Sequence, residues 1–189
     1  VKVVVIVGTK GPFPRLVDAA LAWLHADPTR ELWLQHAEPA RDLPARAVGA
    51  ALAPHAEVVT RMETAAAVLC HAGSGTLRDA LRLGHVPVVV PRRAAHGEHI
   101  NDHQLELVEA LGDRVLACLT PERPDVLARA LEEAAARRGA VRQLPGEALR
   151  EDLRAAVATS RPAARAPHVW RALALATRPL RALLRGGTA

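Results

Sequence analysis

Short continuous apolar runs alternate along the chain with segments whose apolar residues recur every three or four positions. VKVVVIVG (1–8) ends in glycine and reads as a strand buried on both faces, because a strand with one wet face would alternate apolar and polar. FPRLVDAALAWLH (13–25) has apolar residues at 16, 17, 20, 21 and 24, the stripe of a helix packed on one side. ELWLQH (31–36) reads as a second strand, RDLPARAVGAAL (41–52) as a short helix, and AEVVT (56–60) as a third strand followed by a turn or short helix at 61–66. AAVLCH (66–71) and VPVVVP (86–91) are the fourth and fifth strands, separated by a helix, TLRDALRLG (76–84), that closes on glycine. A polar loop (92–100) leads into NDHQLELVEALG (101–112), a helix with Asn or Asp near its cap. RVLACL (114–119) is a sixth strand, and RPDVLARALEEAAARR (123–138) a helix with proline in its first turn.

Apolar strands alternating with helices predict an α/β fold, a parallel sheet of about six strands with helices on both faces. In such a sheet ligands bind beyond the carboxyl ends of the strands, where the strand order reverses. An order of 3-2-1-4-5-6 would set the first and fourth strands on either side of that crevice. Both are followed by glycine-containing turns, VGTKGPF and HAGSGT. Neither turn is a strict Gly-x-Gly-x-x-Gly or a P-loop ending in Lys-Ser/Thr, which argues against dinucleotide and ATP sites.

Composition narrows the partners. The 189 residues suffice for one domain with a sizeable core, and half are hydrophobic. Aromatics are 2% of the chain, too few for the base-stacking surfaces of single-stranded nucleic-acid binders, so no nucleic-acid partner is expected. No apolar run approaches the length of a membrane span, and the opening run lacks the pattern of a secretory signal. The net charge of +5 is uneven: seven arginines and no acid follow Asp152, so the body is nearly neutral. This divides the chain into a domain at 1–150 and a basic, helical tail at 151–189. Within the tail, HVWRALALATRPLRALLR (168–185) gathers Val169, Trp170, Leu173, Leu180, Leu183 and Leu184 on one side of a helical wheel and Arg171, Arg178, Arg181 and Arg185 on another. That is the pattern of a segment lying on an anionic membrane surface or docking on a partner, with packing back onto the domain as the alternative. Cys70 and Cys118 each end an aliphatic run and read as buried thiols, in a chain expected to be cytosolic.

The turn HAGSGT carries the candidate chemistry. The first N–H groups of a helix lack internal partners and the helix dipole adds positive charge, so a glycine-rich turn before a helix accepts an anion. Gly73 and Gly75 let the backbone approach a ligand, Ser74 and Thr76 lie beside them, and Thr76 adds a hydroxyl and His71 a ring N–H. Asp79, one turn into the helix, would repel a phosphate but would accept hydrogen bonds from ribose hydroxyls beside it. The stretch therefore reads as a nucleoside-diphosphate site, a capped glycine turn being the plainer alternative. His96, Glu98 and His99 resemble a metal cluster, but their spacing fits no common zinc pattern, and no metal is expected.

HAGSGTLRDALRLGHVPVVVP (71–91) resembles the donor-binding motif of GT-B glycosyltransferases, the glycosyltransferase family 28 C-terminal domain in particular. GEHINDHQ (97–104) and VGTKGPFPRLVDAA (7–20) resemble the small, donor-binding subunits of bacterial exopolysaccharide two-component glycosyltransferases. The resemblance covers about residues 1–140. It implies a single Rossmann-like GT-B half-domain that binds a UDP-sugar donor, with no cofactor and no bound metal. His71, Gly73, Gly75 and Thr76 would hold the diphosphate, and Asp79, where the family usually has Glu, would grip the ribose. Gln104 sits where a Gln contacts sugar hydroxyls, with Asn101, Asp102 and His103 nearby, and Gly8 and Thr9 belong to the first loop, near the phosphates or the acceptor side. Asp102 reads equally as a helix cap. The acceptor, by the same resemblance, is a polyprenyl-diphosphate-linked saccharide presented by a membrane-anchored acceptor-domain subunit. The pair would work in exopolysaccharide or cell-surface glycan synthesis at the inner face of the plasma membrane. No catalytic base is assigned. A non-catalytic nucleotide-sugar-binding or stabilising subunit of such a complex is the alternative.

Overall fold

The computed structural model describes residues 1–139 and Ala155. The tail at 151–189, the amphipathic segment at 168–185 and the domain boundary at 150 lie outside the described residues, Ala155 apart. The elements in chain order are β1 (Lys2–Ile6), α1 (Pro14–His25), β2 (Glu31–Gln35), β3 (Ala47–Ala50), α2 (His55–Thr64), β4 (Ala67–Cys70), α3 (Ser74–Arg82), β5 (Val88–Val89), α4 (His103–Leu111), β6 (Leu116–Ala117) and α5 (Pro124–Ala136). The strands form one parallel sheet in the order β3-β2-β1-β4-β5-β6, the order that sets the first and fourth strands side by side. This is the expected α/β, Rossmann-like architecture.

The buried runs are explained by the two faces of the sheet. Successive side chains of a strand point to opposite faces. On β1, Val3 and Val5 face α1 and α5, where Leu16, Ala20, Leu24, Leu127 and Leu131 cover them. Val4 and Ile6 face the opposite layer, made by Val58 and Met62 of α2, Leu77 and Ala80 of α3, and Leu107 and Leu111 of α4. Each such Leu or Val side chain contributes about 1.5–3 kcal/mol relative to exposure, so a strand apolar on both faces is what two helical layers require.

The third strand is not at 56–60. That stretch is the middle of α2, and β3 lies at 47–50, inside the segment expected to be helical. Val58 and Met62, four apart, are the buried residues of α2, which is helical spacing. The β-branched pair Val58-Val59 and Thr60 mimicked a strand, but only Val58 of the three is buried. β3 has the opposite disguise: an edge strand, it exposes Val48 and Gly49 and so lacks an apolar run. A Cβ at Gly49 would come within 2.7 Å of the Leu34 carbonyl oxygen, so the residue that weakens the strand signal is the one the close pairing with β2 demands. The helix expected from 76 begins two residues earlier, at Ser74.

Cys70 ends β4 and Cys118 follows β6, with β5 between them, and both are free and buried. Burial pushes the Cys70 thiol up to about 12 and, with Glu122 adding to it, the Cys118 thiol to about 11, so neither forms a thiolate near neutrality. Among the described residues no helix is long and apolar enough to cross a membrane.

The helical assignment of 55–64 predicts opposite responses at neighbouring positions. Exposed Thr60→Ala should stabilise by a few tenths of a kcal/mol, because alanine is the better helix former, whereas Met62→Ala, emptying a buried site, should cost about 2–5 kcal/mol. Urea unfolding measures both; clear destabilisation by Thr60→Ala would favour a strand there.

Candidate functional site

The crevice opens where β1 and β4 end. Val7 follows β1, and Gly8 then turns with φ of 82°, a left-handed conformation that glycine adopts without strain. His71 follows β4 and leans back over β1: its backbone N–H donates to the Ile6 carbonyl at 3.2 Å, and its Nδ1 lies 3.4 Å from the same oxygen. The imidazole fills the gap between the two glycine turns. A Cβ at Gly8 would meet ring atoms Cε1 and Nε2 at 2.6 Å, and one at Gly73 would press still closer on Nε2. Gly8, His71 and Gly73 are thus brought together, each glycine being required by the ring.

Burial, aided by the Arg92 guanidinium and opposed by the Ile6 hydrogen bond, lowers the His71 pKa to about 4. The ring is neutral at pH 7. Since a carbonyl only accepts, the ring proton belongs on Nδ1, leaving Nε2 as an acceptor. The expected ring N–H toward an anion therefore requires Nε2 to take up a proton.

Gly73 is the N-cap of α3 and no side chain caps the helix. The first helical bond is Leu77 N–H to the Gly73 carbonyl, so the turn Ser74-Gly75-Thr76 presents the helix start to the crevice. Ser74 and Gly75 are exposed and Thr76 half-buried. A Cβ at Gly75 would meet nothing within 4 Å, so no neighbour among the described residues accounts for the glycine there. Asp79, further along α3, is buried, with Oδ2 2.7 Å from His55 Nε2 and Oδ1 accepting from Arg78 at 3.2 and 3.3 Å. His55 comes from the start of α2 and is exposed apart from this contact. Oδ1 is occupied by the two Arg78 contacts, whereas Oδ2, with one partner, has a second lone pair for a ribose hydroxyl.

The wall opposite is the segment leaving β5. Arg92 is buried, and its guanidinium donates to the carbonyls of Val7 at 3.2 Å, Gly11 at 2.7 Å and Pro12 at 2.8 Å, while lying 4.5 Å from the Phe13 ring centroid. It thereby ties the first loop to the end of β5. Gln104, buried on α4, accepts the Arg92 backbone N–H through Oε1 at 2.9 Å. Asp102 holds the N-cap position of α4, yet its side chain caps the Ala94 N–H at 2.9 Å instead. Asn101 and His103 are exposed and bonded to each other at 2.5 Å. Desolvation, His99 and Lys10 lower the His103 pKa against the pull of Glu106, so the exposed Thr9-Lys10 tip and the start of α4 are close enough to feel one another. Of the suspected metal cluster, Glu98 is turned onto Arg15, with both oxygens engaged.

Three residues of this wall and floor were not singled out from the sequence: Arg92, Arg15 and His55. Arg92 had a signal, a charge placed directly after the buried run VPVVVP, where only a strongly partnered side chain is tolerated. Arg15 and His55 carried none. A separate hollow of about 260 Å³, lined by Lys2, Glu31, Trp33, Arg46 and Arg61 among others, lies at the other end of the sheet, where β1 and β2 begin.

The model of the glycosyltransferase family 28 C-terminal domain matches residues 3–145. No curated protein matches. Among solved structures, the glycotransferase of kitacinnamycin is 23% identical with a TM-score of 0.55, covering 83% of this chain and 40% of its own. The calicheamicin glycosyltransferase CalG4 is 20% identical with a TM-score of 0.50, covering 83% of this chain and 37% of its own. MurG of Acinetobacter baumannii is 18% identical with a TM-score of 0.50, covering 80% of this chain and 48% of its own. The chain thus spans less than half the length of these proteins, and what it shares with them is the fold of one GT-B half.

Neutral, half-buried His71 makes a prediction about stability. The unfolded ring, near 6.5, binds a proton that the folded ring refuses until about pH 4. Its contribution is therefore complete above pH 6.5 and is lost as pH falls from 6.5 to 4, by up to about 3 kcal/mol. His85 and His103 shift in the same direction, so the comparison is with a variant. Urea midpoints measured between pH 7.5 and 4 should fall less steeply in His71→Gln than in the parent; parallel curves would mean the ring titrates normally.

Proposed function

The chain belongs to the family of the glycosyltransferase family 28 C-terminal domain, and from that premise we propose that it is the donor-binding half of a UDP-sugar-dependent hexosyltransferase. The uncapped start of α3 carries this reading: an open helix N-terminus faces a crevice walled by two glycine turns, with a carboxylate one turn further in. The N–H groups of Ser74, Gly75 and Thr76 would take the diphosphate, and Asp79 the ribose. As the glycosidic bond breaks, negative charge grows on the leaving diphosphate, and N–H groups already aimed there stabilise it without reorganising. His71 would add a donor once Nε2 is protonated. Gln104 and the loop before it would orient the sugar against the acceptor.

The acceptor hydroxyl must lose a proton, and in this reading the base would come from an acceptor-binding half. The GEHINDHQ resemblance supports a membrane-anchored partner subunit that supplies it and presents a polyprenyl-diphosphate-linked saccharide, in exopolysaccharide or cell-surface glycan synthesis. The chain would then work in the cytoplasm, held peripherally at the inner face of the plasma membrane.

Two measurements follow. Calorimetry with UDP should show binding that Gly75→Trp abolishes while the thermal midpoint holds, because the open space at Gly75 serves the ligand and not the fold; retained affinity would put the nucleotide elsewhere. Asp79→Ala should weaken UDP by roughly tenfold or more, the loss expected for charge-assisted hydrogen bonds, yet leave inorganic diphosphate little changed. Equal losses for both ligands would count against a ribose contact.

A further inference from the structure

We propose that Arg15 and Glu98 are a positioning pair that sets where the 92–102 segment meets the donor's sugar, a role that rests on the donor-site reading above. The two residues are 83 apart in sequence and bind in a fork: Arg15 Nε donates to Glu98 Oε1 at 2.7 Å and a terminal nitrogen donates to Oε2 at 2.8 Å. Their side chains are only 17% and 11% exposed. A shielded, two-point arginine–carboxylate pair is stronger and more directional than a surface ion pair, and removing one member strands the other's charge.

The pair grips the segment at both ends of a short circuit. The same Arg15 nitrogen donates to the Pro91 carbonyl at 2.9 Å, where the chain leaves β5. Glu98 Oε2 accepts the Arg93 N–H at 2.9 Å, so the chain from 93 to 98 closes on itself around one carboxylate. The closure is made by a 3-10 turn at Ala94–His96 and by Gly97 at φ 67°. Beyond this locked base the tip is free of apolar support: Ile100 is 92% exposed. Desolvation raises the Glu98 pKa while Arg15 and the Arg93 N–H lower it, with a net lowering that keeps the carboxylate charged at neutral pH.

The pair is separate from the proposed diphosphate site. Its hydrogen-bond partners lie on α1, at the end of β5 and within the 92–102 segment, and its one contact with the first loop is the Arg15 guanidinium 5.3 Å from the Phe13 ring centroid, at that loop's far end from Gly8. What Arg15 and Glu98 fix is therefore the sugar side of the crevice. An error of an ångström there alters contacts with the sugar while leaving those with UDP.

The test is calorimetry on the full chain with UDP and with UDP-glucose, UDP-N-acetylglucosamine and UDP-glucuronate. Arg15→Ala and Glu98→Ala should each keep UDP affinity within about threefold while shifting the ratio of UDP-sugar to UDP affinity by about tenfold for at least one donor, the effect of a small misplacement of the sugar contacts. The double variant should shift the ratio no further than the larger single change, because the two act as one unit. Glu98→Gln, which keeps an acceptor for the Arg93 N–H, should give an intermediate ratio and serves if an alanine variant fails to fold. A ratio unchanged from the parent in these variants, whether or not UDP binding weakens, overturns the positioning role. A parent chain that binds neither UDP nor any of the three donors removes the donor-site reading itself, a different result.

Discussion

The His71 imidazole stands in the gap between two backbone turns, and both turns are glycine because the ring is there. Gly8 and Gly73 both lie against its Cε1–Nε2 edge, and neither tolerates a Cβ. This contact exists only because β1 pairs directly with β4, so that strand ends 65 residues apart in sequence meet. The apolar strands, the two helical layers and the parallel order all serve to set those two strand ends side by side. Filled by a larger or more hydrated group, the gap would push the first loop from the start of α3.

The remaining walls are held by a few polar contacts, those of Arg92 and Gln104 shielded and that of Asp102 exposed, rather than by apolar packing. Arg92 gathers three carbonyls of the first loop, Gln104 holds the Arg92 backbone, and Asp102 holds Ala94. Buried backbone carbonyls of an irregular loop need donors, and one guanidinium supplies several in fixed directions. The result is a crevice whose lining is rigid where it touches the sheet and open where a ligand would enter. Its position beyond the carboxyl ends of β1 and β4, at the reversal of strand order, is where open parallel sheets place their ligands.

Much of this was legible from residue patterns. Strands apolar on both faces announced the parallel sheet, and HAGSGT between strand and helix announced the open helix start. What failed was local. Val58, Val59 and Thr60 look like a strand by composition, and only the four-residue spacing of Val58 to Met62 reveals α2; the edge strand at 47–50 hides behind Gly49, which close pairing demands. Sequence placed His71 and Gln104 in the crevice but not the contacts that fix them. Arg15 meets Glu98 across 83 residues, and His55 meets Asp79 across 24; neither pairing has a local signal, because each depends on which strand ends the topology brings together.

The central claim is that a nucleoside diphosphate seats at the start of α3 between the two glycine turns. Amide chemical-shift mapping by NMR on the full chain, titrated with UDP, tests it most directly. The account predicts that the largest changes fall on Gly8, Gly73, Gly75 and Thr76, with Asp79 responding to UDP but not to inorganic diphosphate. Changes centred instead on Lys2, Glu31, Trp33 and Arg61, in the hollow at the opposite end of the sheet, would contradict it.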